Sequence, residues 1–135
     1  MIHVHDDATA DLNSILQSNR NDGIKLAAFI QQLQADTHLI EKLLEHGFGD
    51  DKSEPISVKK WLSIQNIECK PVWRLRAWNL EEKGLAYRLL YIYDWHDKNY
   101  HIMAIVHRGN LNYDDKNDPI RKRITQRIAT EFPDI

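Results

Sequence analysis

The chain has 135 residues, of which 42% are hydrophobic and 28% are charged, with five glycines and four prolines. This is the composition of an ordinary globular protein that is long enough to bury a core of its own. The formal net charge of −2 argues against a generic polyanion binder. No apolar run approaches the ~18 residues that a membrane-spanning helix needs, and the single cysteine, Cys69, excludes an internal disulfide.

The charge is unevenly divided between the two halves of the chain. Residues 1–67 contain 6 lysines and arginines against 10 acids, and residues 68–135 contain 12 against 10, which together give −2. Any nucleic-acid contact should therefore be local and should lie in the second half. The N-terminus carries acids where a secretory signal needs basic residues and a long apolar segment, so we expect a cytoplasmic protein.

The first part of the chain, about residues 6–47, is predicted to be helical. Ile2–His5 has the pattern of a short strand, and Asp6 or Asp7 is a suitable N-cap for a helix that ends near Gln17. The polar segment Ser18–Gly23 is typical of a turn. A second helix should then reach about Ala35, with an apolar stripe made by Leu26, Phe29, Ile30 and Leu33.

A third helix and a loop should follow. Thr37 is a suitable cap for a helix that ends near Gly47. Residues 47–57 combine glycine, proline and acids and are typical of a loop, while residues 58–66 fit either a short helix or a strand.

Residues 71–108 are predicted to form an antiparallel meander of three strands. The strands are Val72–Leu80, Ala86–Asp94 and Tyr100–His107, joined by connections at Asn79–Leu85 and Trp95–Asn99. In the first strand Trp73, Leu75 and Ala77 alternate with Arg74, Arg76 and Trp78. Such alternation is typical of a strand with one face in the core.

A closing helix is predicted over about residues 119–131. Asp118 supplies an N-cap and Pro119 a favourable first position. Ile120, Ile124 and Ile128 fall on one side, and Arg121, Lys122, Arg123 and Arg127 lie around the other. The order of elements predicts a single α+β domain over residues 1–135, with helices on one face of the sheet and the other face open to a partner.

Arginines mark the candidate site. If the strand registers agree, Arg74, Arg76, Arg88 and Arg108 converge on the open face, where their guanidiniums suit a phosphate. His107 and Tyr113 lie beside the last arginine, Arg108, and could handle a proton. Trp78 could stack on a base, and Lys83 is a further candidate for RNA binding. The alternative is a solvated face on which Glu81, Glu82, Asp94 and Asp114 pair with the arginines.

Histidines suggest a weaker alternative, a metal site. His3 and His5 alternate on the first strand, and His96, His101 and His107 cluster late in the sequence. Neither a cysteine pair nor an HExxH motif accompanies them. We therefore expect no metal and no other cofactor.

Four segments resemble the RelE/ParE superfamily of bacterial toxins, and most of all its RelE-like and HigB-like members. They are VWRLRAW, AYRLLYIYD, IVHRGNLNYD and DPIRKRI, and the resemblance covers roughly residues 60–131. The resemblance implies a short first strand, N-terminal helices, a meander and a C-terminal helix. It also implies a ribosome-dependent endoribonuclease that works without a metal. In the implied reaction a ribose 2′-OH of the mRNA attacks the adjacent phosphate. The implied partners are an antitoxin, the ribosome and mRNA, with a homodimer as a further option.

The resemblance also assigns roles to residues of this chain. Arg74 and Arg76 occupy the two basic positions of the family's second strand, Arg88 its YR pair, and Arg108 the basic position after its last strand. Tyr113 falls near the tyrosine that stacks on or orients the scissile base. His107 resembles the histidine of some HigB-like members. Because arginine carries protons poorly, His107 is the better candidate base. Two alternatives stay open, namely a ParE-like toxin that poisons DNA gyrase and a non-catalytic binding protein of the same fold.

Overall fold

A computed structural model describes every residue from Met1 to Ile135, and it contains five strands and six α-helices. In chain order these are β1 (Ile2–Val4), α1 (Asp6–Ser18), α2 (Arg20–Ala35), α3 (Thr37–Ile40), β2 (Ile56–Lys60), α4 (Leu62–Glu68), β3 (Trp73–Ala77), α5 (Trp78–Glu82), β4 (Tyr87–Asp94), β5 (Asn99–His107) and α6 (Pro119–Glu131). The predicted α+β class, with N-terminal helices, a sheet and a closing helix, is confirmed. No helix has both the length and the apolar character needed to cross a membrane.

The five strands form one mixed sheet in the order β1-β5-β4-β3-β2. The predicted meander is its centre, since β3, β4 and β5 pair antiparallel. Two strands extend it at the edges, because β1 pairs parallel with β5 and β2 pairs antiparallel with β3. The ambiguous segment 58–66 contains both structures that its pattern allowed, the end of β2 and the helix α4.

Both faces of the sheet are covered, so the expectation of one open face is wrong. Helices α1, α2 and α3 pack on one face around residues such as Leu26, Leu75 and Leu89. Helices α4 and α6 cover the other face, where a second core contains Ile64, Leu90, Ile92, Met103, Ile124 and Ile128. No residue of β3 belongs to this second core. The half-buried arginine side chains of β3 lie beside this core rather than in it.

The predicted turn at Ser18–Gly23 is largely helical. Asn19 caps α2 through its side chain, which accepts a hydrogen bond from the Asp22 N–H at 3.2 Å. Gly23 sits inside the helix where α2 crosses α1, and a Cβ atom there would lie 2.5 Å from Leu16 Cδ2. The glycine that indicated a turn is thus required by close helix packing. The cap of α1 is also different from the prediction, because His5 rather than Asp6 or Asp7 supplies it.

Two other boundaries differ from the predictions. The third helix ends at Ile40, and turns continue the chain to β2. The strand predicted to reach Leu80 ends at Ala77, and the short helix α5 takes up most of the predicted hairpin connection. This helix brings an acidic side chain under the sheet arginines.

The closing helix begins as predicted, since the Asp118 carboxylate accepts hydrogen bonds from the Ile120 and Arg121 N–H groups. Its polar side is not uniformly solvated, because Arg121 is fully buried. The strand β1 covers only part of the edge of β5. Beyond it, Asp11 of α1 accepts the Ile105 N–H at 2.9 Å and pairs with Arg123 of α6 at 2.7 Å, which closes the free edge.

Candidate anion-binding site

Strands β3 and β4 bring three of the four predicted arginines to one face. Arg74 lies opposite Leu90 in the antiparallel register, and Arg76 follows two residues later on the same side of β3. Arg88 reaches the same carboxylate as Arg76, so the two guanidiniums are neighbours. The predicted convergence is therefore confirmed for Arg74, Arg76 and Arg88.

Glu81 of α5 lies between two of these arginines. Its carboxylate accepts from Arg76 Nη2 at 2.9 Å and Nε at 3.0 Å, and from Arg88 Nη1 at 2.6 Å. Burial alone would raise the pKa of Glu81, but the hydrogen bonds and positive charges of Arg76 and Arg88 outweigh it and lower the pKa. The alternative that carboxylates pair with the arginines is thus confirmed for Glu81.

Arg74 differs from its two neighbours because it has no carboxylate partner within 4.0 Å. Its only side-chain hydrogen bond is a long one, from Nη1 to Ser57 Oγ at 3.5 Å. Burial lowers its pKa, yet a guanidinium keeps its charge at any pH near neutrality. Arg74 is therefore the arginine of this face that is best prepared to bind an external anion.

Tyr113 lies beside Arg74, whereas the sequence analysis placed it beside Arg108. Both residues line a cleft of about 210 Å³ together with Lys59, Lys60 and Trp61, which we call the tyrosine cleft. The Tyr113 hydroxyl is buried and has no hydrogen-bond partner. Burial raises the pKa of Tyr113, and the positive charges of the three sheet arginines offset part of that rise. The phenol therefore keeps its proton at neutral pH.

The position of Tyr113 is fixed through its backbone. Its carbonyl accepts from Trp61 Nε1 at 2.9 Å and from Arg121 Nη1 at 3.1 Å. The Trp61 ring also packs edge-on against the tyrosine ring at 5.1 Å. Arg121 further donates to Glu68 and to Ser63. The sequence did not indicate this role, because Arg121 looks like one more exposed cation of α6.

A second cleft, of about 410 Å³, opens next to Glu81. We call it the glutamate cleft, and its lining includes Lys52, Arg76, Trp78, Glu81, His107 and Arg108. Arg108 is exposed, forms no ion pair and lies in a 3₁₀ turn after β5, so it joins the rim of this cleft rather than the central three. The rim therefore adds two unpaired cations, Lys52 and Arg108, to the site.

Trp78 lies in this cleft but does not present a free ring. Its indole N–H donates to the Gly49 carbonyl at 2.8 Å. The Arg76 guanidinium lies 4.5 Å and the Lys52 ammonium 5.1 Å from its ring centroid. The Trp78 ring is therefore already in cation–π contact with Arg76 and Lys52. Its use as a stacking surface for a base stays a prediction.

Two predicted site residues are placed differently. His107 pairs in register with Tyr87, and their rings pack edge-on at 5.3 Å, on the sheet face opposite Arg88. No hydrogen bond or ion pair joins it to the arginines, and its Nδ1 accepts the Gly109 N–H. Lys83 lines a separate cleft beside Lys25 and Phe29 of α2. Residue order does not reveal which sheet face the strand-end residue His107 uses, and it did not predict the short helix α5, which places Lys83 in the separate cleft.

The histidines considered for a metal are mostly engaged with other groups. His5 bonds to Glu131 at 3.1 Å, and the His3 ring stacks on His101 at 5.4 Å. His101 also lies close to Asp94 and Asp97. Both of these acids already accept backbone N–H groups of the β4–β5 hairpin, which is their usual role in a turn.

Comparisons of the chain with protein-family models, with curated proteins and with solved structures each find no match. Arg74 and Arg76 are two residues apart on one strand, which sets them about 7 Å apart along it. Cations at that spacing, with one free of any carboxylate, suit the phosphodiester backbone of a nucleic acid.

Proposed function

We propose that this chain is the toxin of a toxin–antitoxin system, a RelE-like endoribonuclease that cleaves mRNA on the ribosome without a metal ion. The observation that carries the proposal is the grouping of Arg74, Arg76 and Arg88 with Tyr113 on one sheet face. These are four of the positions to which the resemblance assigns the reaction. The order of elements, with a short first strand, N-terminal helices, a meander and a closing helix, also supports the proposal.

The residues have distinct tasks in the proposed reaction. Arg74 binds the scissile phosphate and stabilises the charge that develops as the 2′-OH attacks. Arg76 joins Arg74 at this phosphate, the exposed Arg108 holds the neighbouring part of the RNA backbone, and Tyr113 orients the scissile nucleotide. The ribosome supplies much of the alignment, which reduces what the protein's own groups must contribute. This role places the protein in the cytoplasm, with mRNA, the ribosome and a cognate antitoxin as partners.

The test is cleavage of mRNA by the purified chain on programmed ribosomes. We expect cuts at codon positions that disappear when the nucleotide at the cut carries no 2′-OH. Because Arg74 has no internal carboxylate, Arg74→Ala should slow cleavage about 100-fold. Arg20→Ala is the matched control, since Arg20 is exposed and forms no ion pair. Wild-type protein that leaves translated mRNA intact would contradict the proposal.

A non-catalytic anion-binding protein is the second candidate, and one observation favours it. Glu81 neutralises two of the three sheet arginines, and no histidine contacts them. Such a protein would bind RNA through Arg74 and Arg108 but would not cut it. Retention of RNA by the wild type without any cleavage product, and loss of retention in Arg74→Ala, would favour this second function.

A further inference from the structure

We propose that Glu81 is the general base that removes the 2′-OH proton, an inference that rests on the proposed endoribonuclease function. Its carboxylate lies between Arg76 and Arg88, at the wall of the glutamate cleft. Its side chain and that of Arg76 line this cleft, whereas that of Arg88 does not. An RNA in this cleft therefore meets Glu81 and Arg76 directly, and Arg88 acts on the carboxylate from behind.

Other candidates for the base are less suitable. His107 also lines this cleft, but its ring packs edge-on against Tyr87, its Nδ1 accepts the Gly109 N–H, and no hydrogen bond or ion pair joins it to the arginines. Tyr113 has a raised pKa, so its phenol holds a proton and cannot accept one at neutral pH. The arginines stay protonated throughout. Glu81 is the one proton acceptor that directly contacts the sheet arginines.

The protonation state of Glu81 suits this role. The two guanidiniums keep the carboxylate ionised at neutral pH, so every molecule carries the basic form. A carboxylate with a lowered pKa is a weak base. The fixed position of Glu81 offsets this low basicity, because a positioned base acts at a high effective concentration. A contribution of about 100-fold is within the range of positioned acid–base groups.

The step balances as follows. The O2′ proton moves to Glu81 Oε, and the freed electron pair on O2′ forms the new O2′–P bond. The P–O5′ bond breaks, and the leaving O5′ takes a proton from water. The resulting hydroxide takes the proton from Glu81, which restores the carboxylate. The products are a 2′,3′-cyclic phosphate and a 5′-hydroxyl, and no oxidant, metal or further reactant is needed.

The arginine pair makes this transfer favourable in the transition state. In the resting protein Arg76 and Arg88 bond to the Glu81 carboxylate. When Glu81 takes the proton it becomes neutral, and the negative charge moves to the phosphorane oxygens. Arg76, at the cleft wall, then bonds to the phosphorane instead, so its interaction is stronger in the transition state than before the reaction.

The experiment compares single-turnover cleavage and RNA binding for the wild type, Glu81→Gln and Glu41→Gln on programmed ribosomes. Binding is measured with mRNA that carries a 2′-deoxynucleotide at the cut. We expect Glu81→Gln to slow cleavage about 100-fold or more, while affinity stays equal or rises because a negative charge is lost. Glu41 is exposed, forms no ion pair and lines neither cleft, so Glu41→Gln should leave both quantities unchanged.

Three outcomes would overturn the inference while leaving the proposed function in place. The first is wild-type cleavage with an unchanged Glu81→Gln rate. The second is faster cleavage by that variant, which would make Glu81 an internal competitor of the phosphate. The third is an equal loss of binding and cleavage, which would mean that Glu81 only organises the arginines.

Failure of the proposed function has a different signature, since the wild type itself would not cleave. Circular dichroism of each variant checks the fold. If Glu81→Gln does not fold, Glu81→Asp takes its place, because it keeps the charge with a shorter reach. This variant should bind normally and cleave at least about 10-fold more slowly, and normal cleavage by it would overturn the inference.

Discussion

Three arginines of this chain show how the surroundings decide what a guanidinium does. Arg74 is partly exposed and has no carboxylate, Arg88 is buried against Glu81, and Arg121 is completely buried in a set of hydrogen bonds. Only the first can give its charge to an external anion without breaking an ion pair. Arg88 positions Glu81, and Arg121 positions the backbone of Tyr113. Sequence alone treats all three as equal members of a basic surface.

Replacing Arg121 tests its structural role. Arg121→Met should lower the free energy of unfolding by about 3–5 kcal/mol, because it leaves the Glu68 carboxylate without its partner. The Tyr113 carbonyl keeps its bond from Trp61. Urea denaturation measures the change. Lys122→Ala is the control, since Lys122 is exposed and unpaired, and we expect a change within about 0.5 kcal/mol. Equal stabilities for the two variants would contradict this role.

At the scale of elements, a short helix and a single glycine determine how larger elements are positioned. Helix α5 has five residues and no side-chain N-cap, yet it turns the chain out of β3 and brings Glu81 under the sheet arginines. The first two helices depend on one glycine. Gly23 allows α2 to approach α1 closely, and an added Cβ would lie 2.9 Å from Leu16 Cα, which is backbone and cannot rotate away.

Gly23→Ala tests this helix contact. Alanine is favoured over glycine inside a helix by about 1 kcal/mol. Overpacking should reverse the sign, so we expect a net loss of about 1–3 kcal/mol in the free energy of unfolding. Thermal and urea denaturation measure it. Asn21→Ala, at an exposed position two residues earlier, should be neutral or slightly stabilising. A stabilised Gly23→Ala protein would show that the helices can separate without cost.

At the scale of the molecule, charged pairs join the first helix to the last. Asp7 pairs with Arg127 at 2.8 Å, Asp11 pairs with Arg123 at 2.7 Å, and His5 bonds to Glu131. These contacts close the sheet at the β5 edge and tie the N-terminal part to the closing helix. The arginine site lies towards the other edge of the sheet, on β3 and β4. The ion pairs therefore stabilise the β5 edge, whereas the two clefts lie beside β3.

The lowered pKa values of Asp7 and Glu81 predict how the free energy of unfolding depends on pH. Burial alone would raise the pKa of Asp7, but Arg127, His5 and Arg123 outweigh it and lower the pKa. The pKa of Glu81 is also lowered, as described above. The ordinary values are 3.8 for Asp7 and 4.5 for Glu81, so in the unfolded chain both groups take up protons at a higher pH than in the folded protein. Their stabilisation is therefore complete above these values and is lost as pH falls through the folded pKa values.

Urea denaturation between pH 7 and pH 3 measures this dependence. We expect a nearly constant contribution from these two groups down to about pH 5 and a steepening decline below it. Glu81→Gln should show a shallower decline than the wild type, because one of the carboxylates with a lowered pKa is absent. A free energy of unfolding that rises between pH 5 and pH 3 would contradict the assignment.

Local sequence patterns were sufficient to predict the α+β class, the central strands and the closing helix, because these depend on periodicity and on caps such as Asp118. They also predicted that Arg74 and Arg76 share a face, since side chains alternate along a strand. Whether Arg88 joins them depends on the register between β3 and β4, which the structure shows and the sequence left open.

The remaining features of the fold and the site are known from the tertiary structure alone. It placed His107 on the opposite face, covered the face that was expected to be open, and buried Arg121. It also put Glu81 between two arginines, where the sequence had offered four acids as partners without ranking them. These outcomes depend on which segments meet across long sequence separations, and local periodicity carries no information about such contacts.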